Sequence, residues 1–248
     1  MTTKEELKTL PKQLRDNGDV AGVKEKAGEF LKTVDAKTLS IAEQELLQEG
    51  FDQADLIKLC DVHLAVMGDT LVEQQPEASL SHPVGIFMAE HQVILRNLAE
   101  LAEIVNRVGE VRDYAEIQPQ IKRLGEIAAL LLETESHHQR EEQVLFPRLE
   151  RHGVTGPPRI MKLEHDELRA RKRQLNALVK AAATTPYADF ADGVREAGGY
   201  LAENLKGHIF KEDNILYPTA LQTLSADEWQ EVIAEFDKIG YCSFTPGK

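Results

Sequence analysis

An all-α fold is predicted by three observations. Nearly every segment of the 248-residue chain repeats its apolar residues with a helical period, and strand-like alternation is scarce. Beyond the first third, four long amphipathic stretches are joined by short, punctuated loops, which predicts an up-down-up-down four-helix bundle. A small helical domain is expected ahead of it.

The elements are read in chain order. Short helices are expected over about 3–16, 19–33, 38–49 and 53–71, making a domain over residues 1–72. Ser40 and Gly50 bracket "LSIAEQELLQEG" as a cap and a stop, and Leu56, Leu59, Val62, Leu64 and Met67 share one side of the next helix. The polar stretch 73–83, punctuated by Pro76 and Pro83, places a linker at 73–82. The bundle, residues 83–222, is expected as helices over about 83–109, 113–152, 157–183 and 187–222. Gly153 ends the second helix, and Pro157 and Pro158 open the third. Residues 223–248 hold a closing helix, where Ser225 and Glu228 have capping-box spacing, and a tail.

Composition excludes several function classes. Apolar and charged fractions of 42% and 29% suit a globular protein, and a net charge of −13 argues against nucleic acid or an anionic membrane as partner. Cys60 and Cys242 form no disulfide framework. The opening "MTTKEELKTLPKQL" lacks a signal-peptide core, and no membrane-length apolar run occurs, so a cytoplasmic protein is expected.

Chemistry concentrates in a repeated pattern. "HHQREEQVLFP" at 137–147 and "HIFKEDNILYP" at 208–218 share one ten-residue step from histidine to proline. Within them His137 and Glu141, and likewise His208 and Glu212, stand four residues apart on one helix face. His91 and His165 add a histidine from each remaining helix, so inward side chains of the bundle can assemble a metal site. Imidazole suits iron, zinc or copper, and carboxylates can bridge two hard cations. His138 with Glu142 has the same spacing, rotated by about 100°. Aligning the repeat on Pro147 and Pro218 selects the earlier pair, with Asp213 a lesser substitute for Glu212.

Ferritin-like bundles use Glu-x-x-His; this chain carries His-x-x-x-Glu twice. With "EHQVILRNLAEL", "HHQREEQVLFPRLERHG", "LEHDELRARKRQL" and "HIFKEDNILYPTA" in order, residues 83–222 resemble the hemerythrin-like, or HHE cation-binding, domain. That resemblance implies a non-haem di-iron site with His91, His137, His165 and His208 as terminal ligands and Glu141 and Glu212 as bridges. Zinc and manganese rank behind iron. Respiratory hemerythrins carry a second histidine on the third helix, where this chain has Met161. The site is therefore similar to the four-histidine, two-carboxylate subset that includes proteins repairing iron–sulfur centres. Residues 40–67 resemble a helical domain of unknown function (DUF438-like) often found ahead of such bundles.

The leading expectation is a di-iron protein that binds or senses oxygen, nitric oxide or redox state, with an apolar shell of Leu145, Phe146, Leu216 and Tyr217. A di-iron enzyme or iron donor in iron–sulfur centre repair, and a scaffold with a structural metal, are the alternatives. A homodimer is compatible with the amphipathic bundle. His152 is read as a helix C-terminal residue and His82 as a structural one. Cys60 with His63 is too small a set for zinc, and Glu135 and Glu142 are read as solvated helix-face charges.

Overall fold

The computed structural model describes residues 79–248. The expectations for residues 1–72, including those on Cys60 and His63, and for most of the linker lie outside the described residues. Among the described residues there is no strand. The chain divides into two compact units. Of the described residues, one unit holds those up to Val144, Lys162–Phe210 and Ala226–Lys248, and the other holds Leu145–Met161 and Lys211–Ser225.

The larger unit is the body of a helical bundle. Helix α1 (Pro83–Glu110) starts where His82 accepts a hydrogen bond from the Val84 amide at Nδ1, 3.2 Å away, and Pro83 follows in the first turn. His82 is thus an N-cap, a structural role. α2 (Gln118–Glu133) and α3 (Glu135–Arg140) follow in line, then α5 (Gly156–Ala181), α6 (Tyr187–Lys211) and α8 (Ala226–Ile239). The apolar stripes meet in one core: Leu101 and Val108 from α1, Leu124 and Leu131 from α2, Leu168 and Leu175 from α5, and Phe190 and Leu201 from α6. Each such side chain contributes roughly 1.5–3 kcal/mol by leaving water. Gly198 on α6 permits the close approach of α1, because a Cβ there would stand 2.8 Å from Val105 Cγ2. The closing helix α8 packs on α1 and α3, with Phe236 edge-on to Phe87 at 5.0 Å between ring centroids.

The second long helix, expected to be continuous over 113–152, is interrupted. The Thr134 hydroxyl donates back to the Leu131 carbonyl at 2.7 Å, competing with the regular helical ladder between α2 and α3. A π turn then spans Glu141–Leu145, and a second spans Glu212–Leu216 in the helix expected to run unbroken over 187–222. Both precede an aromatic–proline pair, Phe146-Pro147 and Tyr217-Pro218. Proline lacks the amide for the ladder, and its ring collides with the carbonyl four residues back. A widened turn accommodates both problems and begins, in each repeat, at the motif glutamate.

In the smaller unit α4 (Phe146–Arg151) ends with His152 as C-cap and Gly153 at φ 82°, a left-handed conformation that favours glycine. α7 (Tyr217–Thr223) follows the second π turn, and Leu145, Phe146, Leu216 and Tyr217 are all buried.

Candidate metal centre

Four helices of the larger unit deliver histidines to one end of the bundle: His91 from α1, His137 from α3, His165 from α5 and His208 from α6. All are buried. His91 Nε2 lies 3.2 Å from His137 Nε2, and His165 and His208 offer nitrogens within 4.8 Å of each other. Glu141, wholly buried at the start of its π turn, turns Oε2 to both sides, 3.7 Å from His137 Nε2 and 3.4 Å from His165 Nε2. Glu212 is buried at the start of the second π turn, four residues beyond His208 on the same helical run. Asp213 beside it is also buried.

The outward faces of the rings explain the inward ones. His137 Nδ1 donates to Glu90 at 2.6 Å, His165 Nδ1 to Glu142 at 2.7 Å, and His208 Nδ1 to Glu164 at 2.7 Å. A carboxylate on Nδ1 fixes the tautomer, so the Nε2 lone pair points to the centre and its basicity rises. The supports follow a rule. Each carboxylate sits beside a motif residue of one helix and serves the histidine of the next: Glu90 beside His91 serves His137, Glu142 beside Glu141 serves His165, and Glu164 beside His165 serves His208. Glu90 and Glu164 were missed in the sequence, where an acidic neighbour of a motif histidine was the available signal.

Glu142 and Glu135 require a correction. Neither is a merely solvated helix-face charge. Arg169 bonds Glu135 at 2.8 and 3.1 Å and pairs with Glu142 at 2.9 Å, while Glu142 also holds His165. Burial would raise the Glu142 carboxyl, but His165 and Arg169 hold it below the usual carboxylate range. His138, the alternative to His137, is engaged elsewhere. Its Nε2 accepts from the Lys172 ammonium at 3.3 Å, and its ring stacks on His165 at 3.9 Å. Burial first, and then the Lys172 charge, push His138 well below its ordinary value, so it stays neutral.

Imidazole nitrogens of His137 and His165 converging on the buried Glu141 carboxylate, each ring already anchored from behind, fit a divalent metal. The family comparison agrees: the model of the hemerythrin HHE cation binding domain matches residues 82–220. The chain belongs to that family. A family of unknown function (DUF438) matches residues 7–73. Curated relatives of this hemerythrin-domain chain include the iron-sulfur cluster repair protein YtfE of Cronobacter sakazakii, 29% identical over 191 residues, covering 72% of this chain and 83% of that protein. The protein of the same name from Yersinia pseudotuberculosis is 30% identical over 162 residues, covering 60% of this chain and 68% of the relative. For the Salmonella schwarzengrund protein the figures are 29% over 136 residues, 51% of this chain and 60% of the relative. Hemerythrin-domain membership implies a metal site, typically iron. Among the described residues no helix is long and apolar enough to cross a membrane.

Proposed function

We propose that His91, His137, Glu141, His165, His208 and Glu212 hold two iron ions, with Glu141 and Glu212 as carboxylate bridges, and that the protein serves the repair of iron–sulfur centres. The observation that carries the metal reading is the set of three histidines anchored by carboxylates at Nδ1, two of which, His137 and His165, bring Nε2 to 3.7 and 3.4 Å from Glu141. The repair reading is supported by the curated relatives, which carry that function in their names.

Bound iron would supply redox chemistry and, with four histidines and two carboxylates as donors, open coordination positions. The chain's residues orient the donors and keep them dry. Glu90, Glu142 and Glu164 hold protons on Nδ1, and Arg140 and Arg169 keep Glu90 and Glu142 ionised. A second reading uses the same open positions to bind oxygen or nitric oxide as a sensor.

The test begins with protein produced with iron and purified without chelator, beside a His208→Ala, Glu212→Ala variant. About two irons per chain, with ligand-to-metal bands absent from the variant, support the centre; colourless, iron-free protein refutes it. Reactivation of a damaged iron–sulfur protein by the loaded chain supports repair. Spectral change with oxygen or nitric oxide, without reactivation, moves the assignment to sensing.

A further inference from the structure

Glu90 is completely buried, and all four of its lone-pair positions are used. Oε1 accepts from Arg140 Nη2 at 2.6 Å and from the Thr245 hydroxyl at 2.5 Å. Oε2 accepts from Arg140 Nη2 at 2.7 Å and from His137 Nδ1 at 2.6 Å. Three of these bonds come from the bundle. The fourth comes from the C-terminal segment, beyond the residues matched by the family model.

That segment is built into the bundle at several points. Thr245 and Cys242 are each 5% exposed, and the Thr245 amide closes a turn onto the Cys242 carbonyl at 2.9 Å. Cys242 Sγ lies 3.2 Å from the Ser136 hydroxyl, one residue from His137, and Ser243 donates to Glu133. Tyr241 closes a ring cage with Phe87 and Phe236 around the Arg140 guanidinium, at 5.0, 5.1 and 5.4 Å.

Resting on the metal centre proposed above, we infer that the segment Tyr241–Thr245 is a latch that sets His137 for metal binding, with Thr245 as a positioning residue acting through Glu90. The Thr245 hydroxyl saturates Oε1 and fixes the carboxylate plane. That plane fixes the direction of the His137 Nδ1–H bond, and with it the aim of Nε2. Without the hydroxyl, one lone pair of a dry carboxylate is left empty. Its electron density shifts toward the remaining donors, Arg140 and His137, and the carboxylate plane settles on those bonds alone. Valine has nearly the shape of threonine, so Thr245→Val removes the hydroxyl and little else, while Thr245→Ser restores it.

The experiment uses the full chain. Metal-free wild type, Thr245→Val and Thr245→Ser are compared by proton–nitrogen NMR of the histidine rings, with the His137 Nδ1–H resonance assigned through a His137→Gln variant. Each protein is then titrated anaerobically with ferrous iron against a chromophoric chelator. Thr245→Val is expected to move the His137 proton downfield, leaving those of His165 and His208 in place. It should also weaken one of two iron equivalents by about ten-fold, the lower end of the range for partners that support a ligand. Thr245→Ser should return both readouts to wild type. A His137 proton unmoved by Thr245→Val, or wild-type affinity for both equivalents, overturns the latch. Failure of the wild type to take up iron overturns the metal centre instead, and the His137 proton in the metal-free proteins then decides the latch alone.

Discussion

Toward one end of the bundle, Val108, Leu124, Leu175 and Phe190 bury apolar surface with no side-chain charge among them. Toward the other, the same four helical runs bury Glu90, His91, His137, Arg140, Glu141, His165 and His208. The apolar end holds by area, and its cohesion is insensitive to which neighbour supplies each contact. The polar end holds through directed contacts, Glu90 with Arg140 and His137 and Glu142 with His165, since a buried polar group left alone there would cost several kcal/mol. The first design tolerates small shifts of a helix; the second transmits them.

The largest expected effect breaks the apolar end. Phe190→Ala should lower stability by about 3–5 kcal/mol, as deletion of a fully buried ring does. Urea denaturation should give the same loss with iron and with chelator, because the ring lies outside the donor set. At the polar end Arg140→Met should cost about 3 kcal/mol in the metal-free protein, since Glu90 keeps His137 and Thr245 but loses its buried cation. Here the loss should be accompanied by weaker iron binding, read by chelator competition. A Phe190→Ala protein whose iron affinity fell as far as that of Arg140→Met would abolish the distinction between the ends.

Acid should separate them next. Burial alone would raise the Glu90 carboxyl, but His137, Arg140 and Thr245 hold it down to about 2 from an ordinary 4.5. A folded-state value below the unfolded one contributes stability that is complete above about 4.5 and is lost as pH falls toward 2. Metal-free protein should therefore show an acid limb in that window, measured by denaturant titration at stepped pH. Glu90→Gln should flatten it, and an unchanged limb would assign the acid sensitivity to other carboxylates.

The two ends also differ in how far they could be read from sequence. The apolar end was legible from periodicity, because Leu98, Leu101, Val105 and Val108 repeat with the helical turn and area is the only requirement. Of the polar end, the His-x-x-x-Glu repeats were legible, and the structure brings His91, His137, Glu141, His165 and His208 together. The supports were not. Glu90 reaches His137 across 47 residues and Thr245 reaches Glu90 across 155, distances over which no local pattern operates. The π turns were hidden for a related reason: helical spacing assumes a constant pitch, and the aromatic–proline pairs that alter it resemble ordinary helix punctuation.

The smallest effect tests how tightly the apolar end is packed, using two adjacent glycines of α6. Alanine is favoured over glycine inside a helix by about 1 kcal/mol, so each substitution begins with the same gain. At Gly199 the added Cβ would lie 4.0 Å from Val105 Cγ1, an ordinary contact, and Gly199→Ala should stabilise by up to about 1 kcal/mol. At Gly198 it would lie 2.8 Å from Val105 Cγ2, with Leu101 Cδ1 at 3.5 Å behind. The core must then shift, at about 1–3 kcal/mol, and Gly198→Ala should come out destabilised by about 1 kcal/mol. Opposite signs at neighbouring positions, measured by urea denaturation, would show that the helix contact sets the outcome. If both variants gained stability, α1 and α6 could separate without loss, and the rigidity assigned to the apolar end would be wrong. The wild-type affinity for iron should survive both changes, because neither glycine lies near the polar end in sequence or in the contacts of its Cβ position.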